Sequence, residues 1–255
     1  MPINLLMKFF NAGDVLDDAV NSPKDPITID FNDTASDALE IMIRNDFDQL
    51  PVEKKGDIIG SITYKSISKA LSSVERSSIE ELNVSMAVTE SKFVDKEENI
   101  FGLFDYFAEN EFVLVGDEHD LEGIITRYDV FLFLKDQMEP FIQIGSIERN
   151  IRDLIKTNIE DIDECIEDTF ETRANQDDAF SIPENVDRFS FKHYHHFLRS
   201  NQEEFSEIEN DIGNVLKLIE NVGEERNALF HFRQSSDELD REKIDVAKNY
   251  FERIS

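Results

Sequence analysis

The 255-residue sequence is short of cysteine, tryptophan and basic side chains: it has one Cys, no Trp, and 26 Lys+Arg against 56 Asp+Glu. Cys165 alone cannot close an intrachain disulfide, so a disulfide scaffold is excluded and a reducing, cytoplasmic setting is expected. No stretch approaches the ~20 apolar residues of a membrane span; pieces such as Val130-Phe131-Leu132-Phe133-Leu134 are short, and no membrane partner is expected. Met1 to Phe10 holds one lysine and no small-residue cleavage site, so no signal peptide is expected. The sequence contains no G-x-x-x-x-G-K-[ST], G-x-G-x-x-G, C-x-x-C, H-E-x-x-H or G-x-S-x-G string. Kinase, dehydrogenase, zinc-enzyme and serine-hydrolase readings therefore have no support.

The scarcity of bases leaves a formal net charge of −30. A uniformly acidic surface repels a phosphate backbone, which argues against a DNA-coating protein. Three readings of the charge stand side by side. One is adaptation to molar salt, as in haloarchaea, where the Debye length shrinks to about 3 Å. One is an acidic mask for a basic partner, and one is an ordinary solvated surface. The acidity is concentrated: residues 160–187 hold 11 acids and a single base, Arg173, and the rest of the C-terminal half is nearly neutral.

The first half contains an internal repeat. Leu50-Pro51-Val52 followed by Ile58-Ile59-Gly60-Ser61-Ile62-Thr63 is matched by Leu114-Val115 followed by Leu121-Glu122-Gly123-Ile124-Ile125-Thr126. Val115 lies 63 residues after Val52. Upstream, Ile27-Thr28-Ile29-Asp30 pairs with Lys92-Phe93-Val94-Asp95 at a spacing of 65, so the second copy lacks two residues before its central strand. Each copy reads as strand, helix, strand, turn, strand, helix. In the first, Asn32-Asp33-Thr34 supplies helix-capping types, and Ala38, Leu39, Met42 and Ile43 follow at helical spacing. Strands over 50–53 and 58–63 are joined by Lys54-Lys55-Gly56-Asp57, where Gly56 can take positive φ. In the second copy the helix carries Ile100, Leu103, Phe104 and Phe107, and the hairpin strands span 112–115 and 121–126.

Each copy closes on Gly-x-apolar-Thr. The second continues to Gly123-Ile124-Ile125-Thr126-Arg127-Tyr128-Asp129, while the first reads Gly60-Ser61-Ile62-Thr63-Tyr64-Lys65-Ser66, with Ser at the final position. This repeat resembles a tandem CBS domain pair of β-α-β-β-α modules over residues 10–138, with the first module at 10–72 and the second at 79–138. The resemblance implies a regulatory adenine nucleotide ligand, AMP, ADP, ATP or S-adenosylmethionine. Asp129 would hold the ribose and Thr126 would lie near the phosphates, with Gly123 in the same motif. The chemistry suits the residues: a hydroxyl and free backbone N–H groups at a helix start attract an anion, a carboxylate accepts from ribose hydroxyls, and Arg127 adds charge for a phosphate. The competing reading is that Thr126 and Asp129 only cap the helix. The first site lacks the carboxylate.

Beyond Pro140, read as the boundary, the periodicity changes to that of helices. Ile144, Ile147, Ile151, Leu154, Ile155 and Ile159 form one stripe; Phe205, Ile208, Ile212, Val215, Leu216, Ile219 and Val222 form a second; Ile244, Ala247, Phe251 and Ile254 form a third. Gly223 is placed at the C-cap of the long middle helix. Residues 160–187 read as an acidic insert with a short helix through Ile162, Ile166 and Phe170, then a loop around Pro183. The fold class expected is thus α+β, a CBS pair followed by an all-α bundle over 140–255.

After Gly223 comes Glu224-Glu225-Arg226-Asn227-Ala228-Leu229-Phe230-His231. Arg-Asn-x-x-x-His behind a long amphipathic helix resembles the HEPN family of helical domains. That resemblance implies a metal-independent endoribonuclease acting as a homodimer on an RNA substrate, with Arg226, Asn227 and His231 catalytic. His231 would move a proton as the 2′-hydroxyl attacks the adjacent phosphate. Arg226 would take the charge on the phosphoryl oxygens, and Asn227 would orient. On one continuous helix, Arg226 and His231 point about 140° apart, so the helix must start within the motif or two protomers must share the site. HEPN domains without activity also exist, and the rival reading is a noncatalytic nucleotide sensor whose helical half binds a protein partner. Arg188 to Arg199, containing Lys192 and three histidines, is an acid-free basic-aromatic run. It reads as an RNA-contacting face through Arg188, Lys192 and Arg199, or as a helix with one apolar and one wet basic side. No metal is expected there, because the histidine spacing fits no standard site.

Overall fold

The structure, a computed structural model, describes residues 10–19, 26–74, 78–176, 179–206, 208, 211–230 and 239–254. The chain divides into two compact units, residues 1–134 and 135–255. The fold is mixed α+β, with β/α modules in the first unit and helices in the second.

The first unit holds α1 (Ala12–Asp18), β1 (Ile29–Asp30), α2 (Ala35–Asn45), β2 (Gln49–Lys54), β3 (Asp57–Thr63), α3 (Tyr64–Ser73), β4 (Phe93–Val94), α4 (Phe104–Glu109), β5 (Phe112–Gly116) and β6 (Leu121–Thr126), followed by the start of α5 (Arg127–Asn158). The strands form two three-stranded sheets, β1-β2-β3 and β4-β5-β6, each with one parallel and one antiparallel pairing. Their registers repeat. Ile29 pairs with Val52 and Val94 with Val115; Val52 pairs with Gly60 and Val115 with Gly123. The spacings of 65 and 63 read from the sequence are therefore the registers of equivalent strands. Lys55 (φ 60°) and Gly56 (φ 93°) both have positive φ in the β2–β3 turn, the backbone of a two-residue hairpin whose twist matches its strands. Helix α2 starts on Thr34, whose side chain accepts from the Asp37 amide while the Asp37 carboxylate returns the bond.

The copies exchange their leading segments. Residues 10–16, ahead of the first copy, pack in the core of the second: Ala12 and Val15 are buried with Val94, Ile100, Val113 and Ile125. Residues 82–87, ahead of the second copy, complete the first: Leu82, Val84 and Ala87 are buried with Ile29, Met42, Leu50 and Ile62. The backbone bonds repeat across the exchange. Ala12 N donates to Glu98 O and Val84 N to Asp33 O; Ile100 N donates to Phe10 O and Ala35 N to Leu82 O. Neither core closes without the other copy's neighbour.

The second unit continues α5 and adds α6 (Ile162–Gln176), α7 (Phe191–Ser200), α8 (Ile212–Phe230) and α9 (Arg241–Ile254) around one apolar core. Three sequence expectations are corrected. Pro140 lies inside α5 and does not end it. An interior proline costs about 3 kcal/mol, but Ile144, Ile147, Ile151, Leu154 and Ile155 are all buried beyond it, at roughly 2 kcal/mol each. Gly223 is no C-cap: α8 runs through it to Phe230, and a Cβ at 223 would sit 2.9 Å from the Phe191 Cβ. Its bare Cα is what lets α7 cross α8 closely. Phe205 and Ile208 are buried but precede α8. They lie in turns where Ile208 N donates to Phe205 O and Asp211 N to Ile208 O, and three-residue turns keep such positions on one face as a helix does. The acidic segment does form a helix, α6, with Ile166 and Phe170 buried.

Candidate functional site

Thr126 ends β6 and Asp129 lies in the first turn of α5. The Asp129 Oδ2 accepts from the Thr126 amide at 2.8 Å and from the Thr126 hydroxyl at 2.6 Å, and the Thr126 Oγ1 accepts from the Asp129 amide at 3.1 Å. The capping reading is therefore realised, but through one carboxylate oxygen, so Oδ1 remains outside the box. In the first copy Thr63 and Ser66 form the same box: Ser66 Oγ accepts from the Thr63 amide at 2.9 Å and donates to the Thr63 carbonyl at 3.0 Å. Serine thus replaces aspartate with capping intact and no carboxylate offered.

The other residues of the motif have work of their own. The exposed Arg127 guanidinium donates to Glu111 Oε1 at 3.2 Å, and the Arg127 amide donates to the Glu111 carbonyl. An exposed pair of this kind is worth little. Gly123 is a packing position: an added Cβ would sit 2.5 Å from Leu16 Cδ1. Its equivalent, Gly60, has φ +147° and faces the Thr89 carbonyl at 2.2 Å from where a Cβ would be. Both glycines admit the exchanged segments. The motif spacing pointed to them, but for a packing reason the sequence could not display.

In the second unit Arg226 and Asn227 lie near the end of α8, with Arg226 Nη1 donating to Asn227 Oδ1 at 3.4 Å. His231 lies outside the described residues. α8 runs without interruption from Arg226 to Phe230, so the helix does not start anew between them. The residue missed in the sequence is Glu225, only 8% exposed. Its Oε2 accepts from the Asp240 amide at 3.2 Å and its Oε1 pairs with Lys243 Nζ at 3.4 Å, clasping the start of α9 to α8. Spacing could have found it, since 225 falls on the Val222–Leu229 buried stripe.

The basic-aromatic run forms α7, capped by Ser190. Phe191, Tyr194, Phe197 and Leu198 are buried, while Arg188, Lys192 and Arg199 are exposed. His193 is not a basic contact. Its Nδ1 accepts from the Ser190 amide at 3.2 Å and its ring lies among Phe170, Phe180 and Phe189. Burial first, then Arg173 and His196, lowers its pKa below the ordinary imidazole value. The buried Tyr194 hydroxyl accepts from Arg152 Nε at 2.8 Å. Among the described residues no three His, Cys, Asp or Glu side chains gather as a metal site, and no helix is long and apolar enough to cross a membrane.

Comparison with known proteins bears on the first unit. No curated protein matches the chain. Among solved structures, a CBS-domain containing protein from Agrobacterium tumefaciens is 21% identical, with 48% of this chain and 96% of that one covered at a TM-score of 0.42. A CBS domain-containing protein of unknown function from Bacillus anthracis is 16% identical, covering 52% and 97% at a TM-score of 0.44. The CBS domain of a bacterial CNNM/CorC family Mg2+ transporter, solved in complex with ATP, is 18% identical, covering 51% and 90% at a TM-score of 0.42. The CBS domain family model matches residues 16–73, the copy in which Ser66 replaces the signature aspartate. The chain therefore carries a CBS domain at residues 16–73.

Proposed function

We propose that this protein is a cytoplasmic regulator in which a CBS pair binds an adenine nucleotide, chiefly at Thr126 and Asp129, and controls a HEPN-like endoribonuclease. The observation that carries the nucleotide reading is the Thr126–Asp129 box. It sets a carboxylate, with one oxygen outside the capping bonds, at the turn from a strand into a helix start. A ribose diol donates to that oxygen, the positive end of the α5 dipole favours the phosphate, and Arg127 exchanges Glu111 for it. The first copy, with Ser66, binds weakly or not at all.

The nuclease reading rests on Arg226, Asn227 and His231 in sequence. The 2′-hydroxyl of RNA attacks the neighbouring phosphate and the P–O5′ bond breaks, leaving a 2′,3′-cyclic phosphate and a 5′-hydroxyl; His231 moves the proton between the attacking and leaving oxygens, and Arg226 neutralises the phosphoryl oxygens. A homodimer brings a second copy of the motif to the same phosphate. Nucleotide controls cleavage only if its affinity differs between the active and inactive states. The test is RNA cleavage in EDTA, in molar KCl and at low salt, for wild type and His231→Ala, with and without ATP or AMP. Cleavage lost in His231→Ala supports the assignment, and equal cleavage by the two removes it.

One observation favours the noncatalytic alternative, in which the helical half binds a protein partner. Met138, Ile142 and Val246 of the second unit are 55%, 65% and 50% exposed, apolar surface suited to a protein contact. No cleavage by wild type under any of these conditions selects it.

A further inference from the structure

The tips of the two hairpins in the first unit meet. The β5–β6 loop of the second copy, Asp117 to Asp120, reaches the start of β3 in the first, where the Ile58 amide donates to the Glu118 carbonyl at 2.7 Å. Beside that bond His119 Nδ1 lies 2.8 Å from Asp57 Oδ1, and His119 Nε2 lies 3.4 Å from Glu118 Oε1. The loop is preset for this contact, because Asp117 Oδ1 accepts from the amides of both His119 and Asp120. β3 runs from Asp57 to the capping Thr63 and β6 from Leu121 to the capping Thr126. The tip contact and the two caps are thus opposite ends of the same strands.

We propose that His119 is a proton-operated clasp between the two modules: its imidazolium is held by Asp57 across the module boundary and by Glu118 in its own loop, and losing the proton removes the charge and so weakens the side-chain half of the contact. The groups facing it are carboxylates, Asp57 on β3 and Asp117, Glu118 and Asp120 in the loop. The nearby lysines stand in the opposite turn, where Lys54 Nζ lies 4.0 Å from the Phe31 ring centre and Lys55 follows. The hydrogen bond and charge of Asp57, then Glu118 and Asp117, raise the His119 pKa above the ordinary imidazole value. A raised folded-state value means the charge-dependent stabilisation is fully present below about 6.5 and lost as pH rises through the folded value. His119 and Asp57 are 68% and 51% exposed, so the effect is that of a surface pair, modest and salt-sensitive. The clasp stands independently of the nucleotide and nuclease readings.

The test uses the full chain in 0.1 M salt. NMR titration follows the imidazole signals, with His119 assigned by the signal missing in His119→Gln. Asp57→Asn should bring the His119 midpoint down toward the ordinary value. Hydrogen exchange then reads the Ile58 amide. Its protection factor should be about two- to fivefold higher at pH 5.5 than at pH 8.5, the range of a surface pair, and this ratio should fall to one in His119→Gln. Both substituted side chains are more than half exposed, so the cores are untouched. A midpoint indifferent to Asp57→Asn, a wild-type protection factor that does not change with pH, or the same ratio surviving in His119→Gln would each overturn the proposal.

Discussion

The two copies of the repeat offer a control for the Thr126–Asp129 site that an alanine scan lacks. Asp129→Ala removes the acceptor that satisfies the Thr126 amide at 2.8 Å and the Thr126 hydroxyl at 2.6 Å. Loss of one side of a capping box costs about 1 kcal/mol, or a few degrees in melting temperature. Any fall in nucleotide affinity in that variant is confounded with a frayed helix start. Asp129→Ser imports the residue that the first copy uses at the equivalent place. There Ser66 Oγ accepts from the Thr63 amide at 2.9 Å, so the cap should survive with less than about 0.5 kcal/mol lost. The carboxylate is gone all the same. A hydrogen bond to a charged group is worth about 1.5–3 kcal/mol, so nucleotide affinity should fall roughly 10- to 150-fold.

The assay is calorimetry with AMP, ADP, ATP and S-adenosylmethionine on wild type, Asp129→Ala and Asp129→Ser, beside thermal unfolding of all three without ligand. Wild-type binding, lost equally in both variants while only the alanine variant melts lower, is the expected pattern. Undiminished binding by Asp129→Ser would show that the carboxylate is a cap and nothing more. Equal loss of stability in both variants would refute the claim that the two boxes are interchangeable. The converse substitution, Ser66→Asp, is expected to keep the first cap and to add a carboxylate oxygen beyond it.

Four further outcomes are expected. Gly60→Ala, whose Cβ would meet the Thr89 carbonyl at 2.2 Å with φ at +147°, should cost about 3 kcal/mol in urea unfolding; Gly145→Ala, in α5 with nothing among the described residues within 4 Å of its Cβ, should gain about 0.5–1 kcal/mol. Leu82→Ala, in the segment leading into the second copy but buried in the first core, should cost about 2–5 kcal/mol and raise amide exchange in β2 and β3 before β5 and β6. Arg241 donates twice to Asp136, at 2.7 Å each, and its hydrogen bonds hold the Asp136 pKa below the ordinary carboxylate value. That stabilisation is present above about pH 4 and lost as pH falls through the lowered value, so the wild-type minus Asp136→Asn difference in urea midpoint should shrink on acidification, and a constant difference would contradict it.

What could be read from the sequence, and what could not, divides along the range of the interactions. Strand registers were legible because a glycine-bearing turn and the closing Gly-x-apolar-Thr motif are local, and because two copies bearing them at constant spacing check each other. The buried stripes of α5, α8 and α9 were legible for the same reason. Pro140 and Gly223 were misread because their local meaning, helix end and helix cap, is overridden by partners far along the chain: the aliphatic core beyond Pro140, and Phe191 against Gly223. Glu225 stood on a legible buried stripe, but its role, clasping Asp240 and Lys243, rests on partners 15 and 18 residues along the chain.

The exchange of leading segments lies furthest from what a repeat can reveal. Asn11 bridges to Asn99 and Asn83 to Thr34, and Thr34 and Asn99 are themselves equivalent positions 65 residues apart. A segment that fits one copy therefore has the right pattern for the other, and periodicity is blind to which it joins. What separates the two arrangements is the pairing of particular shapes. Leu16 lies over Gly123, and Val88 and Thr89 lie over Gly60, so each bare glycine is matched to the bulk that arrives from the other copy. The matched residues 16–73 accordingly leave out Leu82, Val84 and Ala87, three side chains that close their core. The structural unit is therefore the pair, since each core is closed by a segment that precedes the other copy.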